Sequence, residues 1–255
     1  MKKKTRGIVS VVAGLQLLAT AAVAQEAPII ARVVSYKVRP GMEQKFEDGM
    51  KRHNDFHAKQ KDTGTHDMYV VSSGENTGTY IRMAPGRKWE DFDAEEAWAG
   101  QADAADSAVN LDPYVAAAAP AYYRFRNDLS SPLDPAAKPE RMYAVIYFQV
   151  KQGRFDDMVA VLKRRNEALR KANWQRAYLW YTLVNGGAGG TFVLALPRTK
   201  WADFNPLPKA PAEVYDEVFG RGEADALSRL FNEAVEASRS EIVTYRPDLS
   251  HRPAR

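Results

Sequence analysis

The sequence predicts an α+β chain made of two tandem βαββαβ units. Three observations carry this prediction: a long internal repeat, strand-like runs that end at turn glycines, and helical periodicity between them. Val33–Asp93 matches Val145–Asn205 at an offset of 112 residues without a gap, and 16 of the 61 aligned pairs are identical. Ordinary amino-acid usage would give about four by chance. After an eight-residue insertion the match resumes at Arg126, Asp128, Leu129 and Ser130 against Arg246, Asp248, Leu249 and Ser250.

Each element follows from its local pattern. Ile30 to Val38 and Tyr143 to Val150 are rich in β-branched and aromatic residues and run towards Gly41 and Gly153, so they read as first strands. From Met42 and Arg154 the period becomes helical, with Phe46, Met50, His53 and His57 in register with Met158, Leu162, Arg165 and Leu169. Met68 to Ser73 with Tyr80 to Ala84, and Tyr178 to Val184 with Thr191 to Leu196, read as strand pairs across Gly-containing turns. A Trp-x-Asp-Phe block at Trp89 and Trp201 opens a second helical region. The acidic, Ala-rich run from Glu90 to Ala119 reads as a solvated helix broken at Asp112-Pro113, and Tyr122 to Arg126 and Ile242 to Arg246 as last strands.

The resulting division is a leader over residues 1–24, a first unit over 25–130, a proline-rich linker over 131–140, a second unit over 141–250 and a tail over 251–255. The strand runs Tyr143 to Phe148 and Tyr178 to Leu183 do not alternate apolar with polar residues, so both sheet faces must be covered. Packing of the two sheets against each other is the economical solution, because each unit has the same bare face.

Residues 1–24 carry four basic side chains and no acid, an apolar stretch from Gly7 to Val23, and a small-x-small triplet at Ala22-Val23-Ala24. This is the pattern of a secretory signal peptide cleaved after Ala24, and it predicts a periplasmic or secreted protein with no membrane attachment after cleavage. Without that segment the formal charge of +4 falls to zero, which removes the basic excess that a nucleic-acid groove requires. With no cysteine, a disulfide scaffold and a thiol nucleophile are excluded.

The βαββαβ order is that of a ferredoxin-like unit. The duplicated units, each with an apolar first strand running into a turn glycine, resemble the dimeric α/β-barrel superfamily in a tandem single-chain form. The Val-x-Tyr-x-Val-Arg-Pro-Gly start at Val34 to Gly41 and the Trp-x-Asp-Phe block look most like its NIPSNAP and stress-responsive branches. The resemblance implies that the two sheets form a pseudo-dimeric α/β barrel, either as a monomer or in a higher homo-oligomer. Relatives in that superfamily include cofactor-independent monooxygenases, lactone isomerases and haem enzymes.

His53 and His57, spaced i and i+4 on the first helix, share one helix face, and His66 follows where the next strand begins. The spacing suits a metal or a proton-transfer pair, set against the plainer reading of two ordinary histidines at a helix edge. No third ligand is spaced close enough to complete a metal site, so no metal and no cofactor is assigned. Tyr69 and Tyr181 occupy matching places in the second strands, and Trp89 and Trp201 could flank a ligand mouth in each unit.

Three functions remain open. The first is an exported protein whose aromatic pockets, with His66, Trp89, Tyr181 and Trp201 as ligand contacts, hold a small, partly apolar molecule. The second is a cofactor-independent monooxygenase or isomerase, with His53 or His57 as base and Tyr69 as proton donor. The third is a non-catalytic partner-binding module.

Overall fold

The computed structural model describes residues 28–132 and 138–253; the leader and the middle of the proline-rich linker lie outside them. The first unit runs β1 (Ile30–Val38), α1 (Glu43–Lys59), β2 (Asp67–Ser73), β3 (Tyr80–Arg87), α2 (Trp89–Asn110) and β4 (Val115–Phe125). The second runs β5 (Met142–Val150), α3 (Phe155–Lys171), β6 (Leu179–Asn185), β7 (Thr191–Arg198), α4 (Pro211–Phe219), α5 (Arg221–Ala234) and β8 (Val235–Tyr245). Strands β1 and β5, helices α1 and α3, and strands β2 and β6 each stand 112 residues apart, which is the offset of the sequence match.

The eight strands form one closed antiparallel barrel in the order β1-β3-β2-β8-β5-β7-β6-β4. Edge-to-edge pairing joins the units, with β2 on β8 at Tyr69–Tyr245 and β4 on β6 at Tyr123–Leu183. The expected packing of the two bare faces is therefore reached by closure: the edges are hydrogen-bonded, and both bare faces become the barrel wall's inner side.

Alternation along each strand explains the unbroken apolar runs. Tyr143, Val145 and Tyr147 of β5 point into the barrel with Tyr69, Val71, Tyr181, Val193 and Val243, whereas Phe148, Trp180, Phe192 and Leu194 face α3 to α5 on the outside. In the first unit Tyr36, Met68 and Tyr80 face outward onto Phe46 and Met50 of α1.

The last strands are longer than the sequence indicates. Val115–Ala119 belongs to β4, not to a helix, because its backbone pairs with Ser35 to Val38 of β1 although its alanines are exposed. The helical run ends at Asn110, where Asp112-Pro113 starts a single 3-10 turn.

The retained Arg-x-Asp-Leu-Ser segments exchange places. Ser130 Oγ accepts from the backbone of Trp180 in β6 at 2.8 Å, and Asn166 of α3 donates to the Asp128 carbonyl at 2.9 Å. Reciprocally, Ser250 Oγ accepts from the backbone of Met68 in β2 at 2.9 Å, and Asn54 of α1 donates to the Leu249 carbonyl at 2.8 Å. Each unit's tail thus clasps the other unit. No helix among the described residues is long and apolar enough to cross a membrane.

Candidate functional site

The chain has four histidines, and all four meet in the first unit between sheet and helices. His53 and His57 come from α1, His66 precedes β2, and His251 arrives on the second unit's tail through a two-way backbone bridge to His66. All four are buried. The i, i+4 spacing turns both α1 rings to one face, and the chain then reverses after α1, with Lys61 at φ 57°, to bring Asp62 under His57.

Carboxylates hold the rings in place. His53 Nδ1 lies 2.8 Å from Asp106 Oδ2 of α2, and His57 Nδ1 lies 2.8 Å from Asp62 Oδ2, which His66 Nε2 also approaches at 3.0 Å. The two Nε2 atoms of His53 and His57 face each other at 3.2 Å. Asp103 Oδ1 of α2 stands 3.3 Å from His57 Nε2 and 3.6 Å from His53 Nε2. Arg82 of β3 is buried in the same layer, with Nη1 on Met50 Sδ at 3.8 Å and Nη2 without a partner.

The charges in this layer oppose one another. Burial, and then the Arg82 guanidinium, push His53 down to about 4 and hold His66 well below its ordinary value. Burial also opposes charge on His57, but Asp103 and Asp62 outweigh it and its pKa is raised. Burial alone would raise the Asp62 and Asp103 carboxyls; hydrogen bonding from His57, joined at Asp62 by His66, outweighs it and holds both below the carboxylate range. Two sets of three donors lie close enough to share an ion: His53, His57 and Asp103, and His57, Asp62 and His66. The spacing of the sequence shows only the histidine pair; the third donor comes from α2, 46 residues after His57.

The other singled-out residues do not join this cluster. Tyr69 lies on the opposite face of β2 from Met68 and packs inside the barrel against Tyr143 and Tyr245. Tyr181 is also inside the barrel, beside Phe125. Trp89 is 40% exposed and stacks on Phe92 and Tyr122, while Trp201 is 57% exposed beside Phe204. The aspartate of each block caps its turn: Asp91 Oδ2 accepts from the Lys88 backbone at 2.7 Å, and Asp203 Oδ2 accepts from that of Lys200 at 3.1 Å.

The matching layer of the second unit is different. Between β5 to β7 and helices α3 to α5 lies a cavity of about 250 Å³, walled by Phe148, Leu162, Leu169, Trp174, Trp180, Leu194, Tyr215 and Phe231. Arg165, which replaces His53 in the repeat, enters it and lies over the Phe231 ring at 4.4 Å and the Tyr215 ring at 5.5 Å. Arg176 and Arg198 also line it. The Nε atoms of Arg165 and Arg198 have no hydrogen-bond partner, and burial lowers the pKa of both groups. Tyr178, in the place of His66, donates from its hydroxyl to Asn166 Oδ1 at 2.5 Å in the same cavity. The 112-residue offset aligns Arg165, Leu169 and Tyr178 with His53, His57 and His66, and the fold brings them into one cavity with Arg198.

No protein-family model matches the chain, and neither does any curated protein sequence. Solved structures do match in shape. A protein from Lactobacillus acidophilus NCFM, provisionally described as a monooxygenase, superposes with a TM-score of 0.54 at 10% identity, over 89% of this chain and 97% of that one. An anthrone oxidase-like protein gives 0.55 at 12% identity, over 87% and 92%. A mutant chlorite dismutase from Candidatus Nitrospira defluvii, in complex with cyanide, gives 0.52 at 8% identity, over 88% and 93%. The likeness covers nearly all the described residues and establishes the fold: this chain has the ferredoxin-like, dimeric α/β-barrel architecture.

Proposed function

We propose that the chain is an exported protein that binds a small, partly apolar anion in the cavity of the second unit. One observation carries this reading: three guanidinium groups line an aromatic cavity that no Asp or Glu lines. Of the three, half-buried Arg165 has only aromatic rings over its guanidinium, whereas Arg176 is exposed and donates to the Asp203 carbonyl at 3.4 Å and Arg198 feels the Asp203 charge. A charge held in apolar surroundings without a counter-ion is costly, so an entering carboxylate or phenolate gains from neutralising it. The volume lies just under the roughly 300–1,000 Å³ usual for ligand pockets, which favours a small, compact occupant.

Titration with phenylacetate, followed by tryptophan fluorescence and calorimetry, tests the reading. Phenylacetate should bind at least about 30-fold more tightly than neutral 2-phenylethanol, and Arg165→Leu should remove the difference. Equal binding of acid and alcohol would refute it.

A second reading is a cofactor-independent monooxygenase, and two observations favour it. Fold neighbours carry oxygenase and oxidase names, and the Tyr178–Asn166 pair stands beside the arginines. Cationic groups that stabilise a phenolate or enolate favour the electron-rich form that dioxygen attacks. Oxygen uptake with anthrone as substrate, lost in Arg198→Leu, would distinguish catalysis from binding alone.

Export rests on the leader at residues 1–24, and N-terminal sequencing of secreted protein tests it by finding Gln25 first. Descent of the two units from one duplicated ancestor, and kinship with the NIPSNAP and stress-responsive branches, belong to the same proposal. They are supported by the common 112-residue offset and by the Val34 to Gly41 start.

A further inference from the structure

We propose that His53, His57 and Asp103 bind a single divalent transition-metal ion of the zinc class in the first unit. This site is separate from the anion cavity of the second unit, and the inference does not depend on that reading.

The second neighbours of the two rings fix their tautomers. An ionised carboxylate can only accept a hydrogen bond, so the contacts of His53 Nδ1 with Asp106 and of His57 Nδ1 with Asp62 place the ring hydrogens on Nδ1. In the neutral rings each Nε2 then presents a lone pair, and a metal ion would displace the proton that Asp103 favours on His57 Nε2. Those two lone pairs and Asp103 Oδ1, a third acceptor, converge on one point with separations of 3.2, 3.3 and 3.6 Å. With both rings neutral, three acceptors would face one another and repel, which a metal ion between them relieves as a proton on His57 does. Imidazoles oriented by carboxylates on their far nitrogen are the usual supporting arrangement of a metal site.

The distances suit a tetrahedral ion. The separations of 3.2 and 3.3 Å lie at the long end for a hydrogen bond, whose usual length is roughly 2.9 Å, and they also fit two donors on one metal ion. With metal–ligand bonds of roughly 2.0–2.1 Å, the edge of a tetrahedron is roughly 3.3–3.4 Å and that of an octahedron roughly 2.9 Å. The observed separations bracket the tetrahedral edge, which favours zinc over an octahedral ion. Three protein donors leave a fourth position for water.

His57, Asp62 and His66, the other close set, do not make a second site. Asp62 Oδ2 already serves both histidine nitrogens and acts as the support of His57. Asp103 Oδ1 is buried, while the side chain as a whole is 33% exposed at the edge of the layer.

The test uses full-length protein purified without a histidine tag and stripped with a chelator. Calorimetry with Zn2+ should give one equivalent per chain, and Co2+ should give the intense visible bands of a four-coordinate ion. Asp103→Ala should weaken binding at least about 100-fold, and Asp106→Ala, which removes only a support, about 10- to 100-fold. Circular dichroism should show both variants folded; if Asp103→Ala does not fold, isosteric Asp103→Asn takes its place. The proposal is overturned if the wild type binds Zn2+ no more tightly than the Asp103 variant, or if bound Co2+ shows only weak six-coordinate bands.

Discussion

Leu129 and Leu249 stand 120 residues apart in sequence, and each fills the core of the unit to which it does not belong. Leu129 follows β4 yet packs with Met158, Leu162 and Trp180; Leu249 follows β8 yet packs with Phe46, Met50 and Met68. The retained Arg-x-Asp-Leu-Ser segments are thus the fastening between the units.

Truncating either leucine should weaken both units together. Leu129→Ala and Leu249→Ala should each cost about 2–5 kcal/mol, as for other fully buried leucines. Urea unfolding followed separately by fluorescence and circular dichroism should still give one transition. Two separated transitions in Leu249→Ala would show that the units do not depend on the exchanged tails.

The seams of the barrel are sensitive to added bulk. Gly186, at φ 91°, sits where β6 meets β4, and a Cβ there would lie 2.4 Å from the Pro120 carbonyl oxygen and 2.7 Å from Ala121 Cα. Its repeat partner Gly74, at φ 96°, sits at the other seam against Ser240 and Glu241. Gly186→Ala should cost on the order of 2–4 kcal/mol, more than Gly74→Ala, because a Cβ at Gly74 would come no closer than 3.1 Å to the Ser240 carbonyl oxygen and Glu241 Cγ. Thermal melts of the two variants measure this order.

Acid should loosen the contact of Arg246 with α1. Glu47 receives both arms of the Arg246 guanidinium at 2.6 and 2.7 Å, which holds its pKa below the ordinary 4.5. A carboxyl depressed in the folded state stabilises the protein fully above its unfolded value, and this stabilisation is lost as pH falls through the lower folded value. Glu47→Gln should therefore cost about 1–2 kcal/mol at pH 7 and progressively less as pH falls below the ordinary 4.5. Melting temperatures of the two proteins across that range test the convergence.

Tyr69 should behave as a packing residue of the barrel interior. It lies with Val71, Val145 and Val243, on the face of the sheet opposite the histidines. Tyr69→Phe should shift stability by less than about 0.5 kcal/mol and leave Zn2+ and phenylacetate affinities unchanged, whereas Tyr69→Ala should cost about 3–5 kcal/mol. A loss of either affinity in Tyr69→Phe would tie its hydroxyl to a site.

Local patterns made much of the fold legible. Strand β1 has the limits read from its β-branched run, and α1 and α3 begin within a residue of the expected starts, because strand and helix periods are written in neighbouring side chains. The first halves of β4 and β8 were not legible. Ala116 to Ala119 and Glu236 to Ser240 are exposed and carry no apolar alternation; their backbones are held in the sheet by pairing with β1 and β5. At the candidate site, the i, i+4 histidine pair could be seen, but Asp62, Asp103, Asp106, Arg82 and His251 could not, since they reach it from four other segments.

The sequence by itself showed a repeated strand and helix pattern, apolar strand runs that need cover on both faces, and paired histidines on the first helix only. The tertiary structure decided which edges join, which tail crosses to which unit, and which carboxylates and arginines meet in each layer. The physical reason is that side-chain periodicity records which way a residue faces, whereas closure of the barrel sets what it faces, through backbone pairing between segments far apart in the chain.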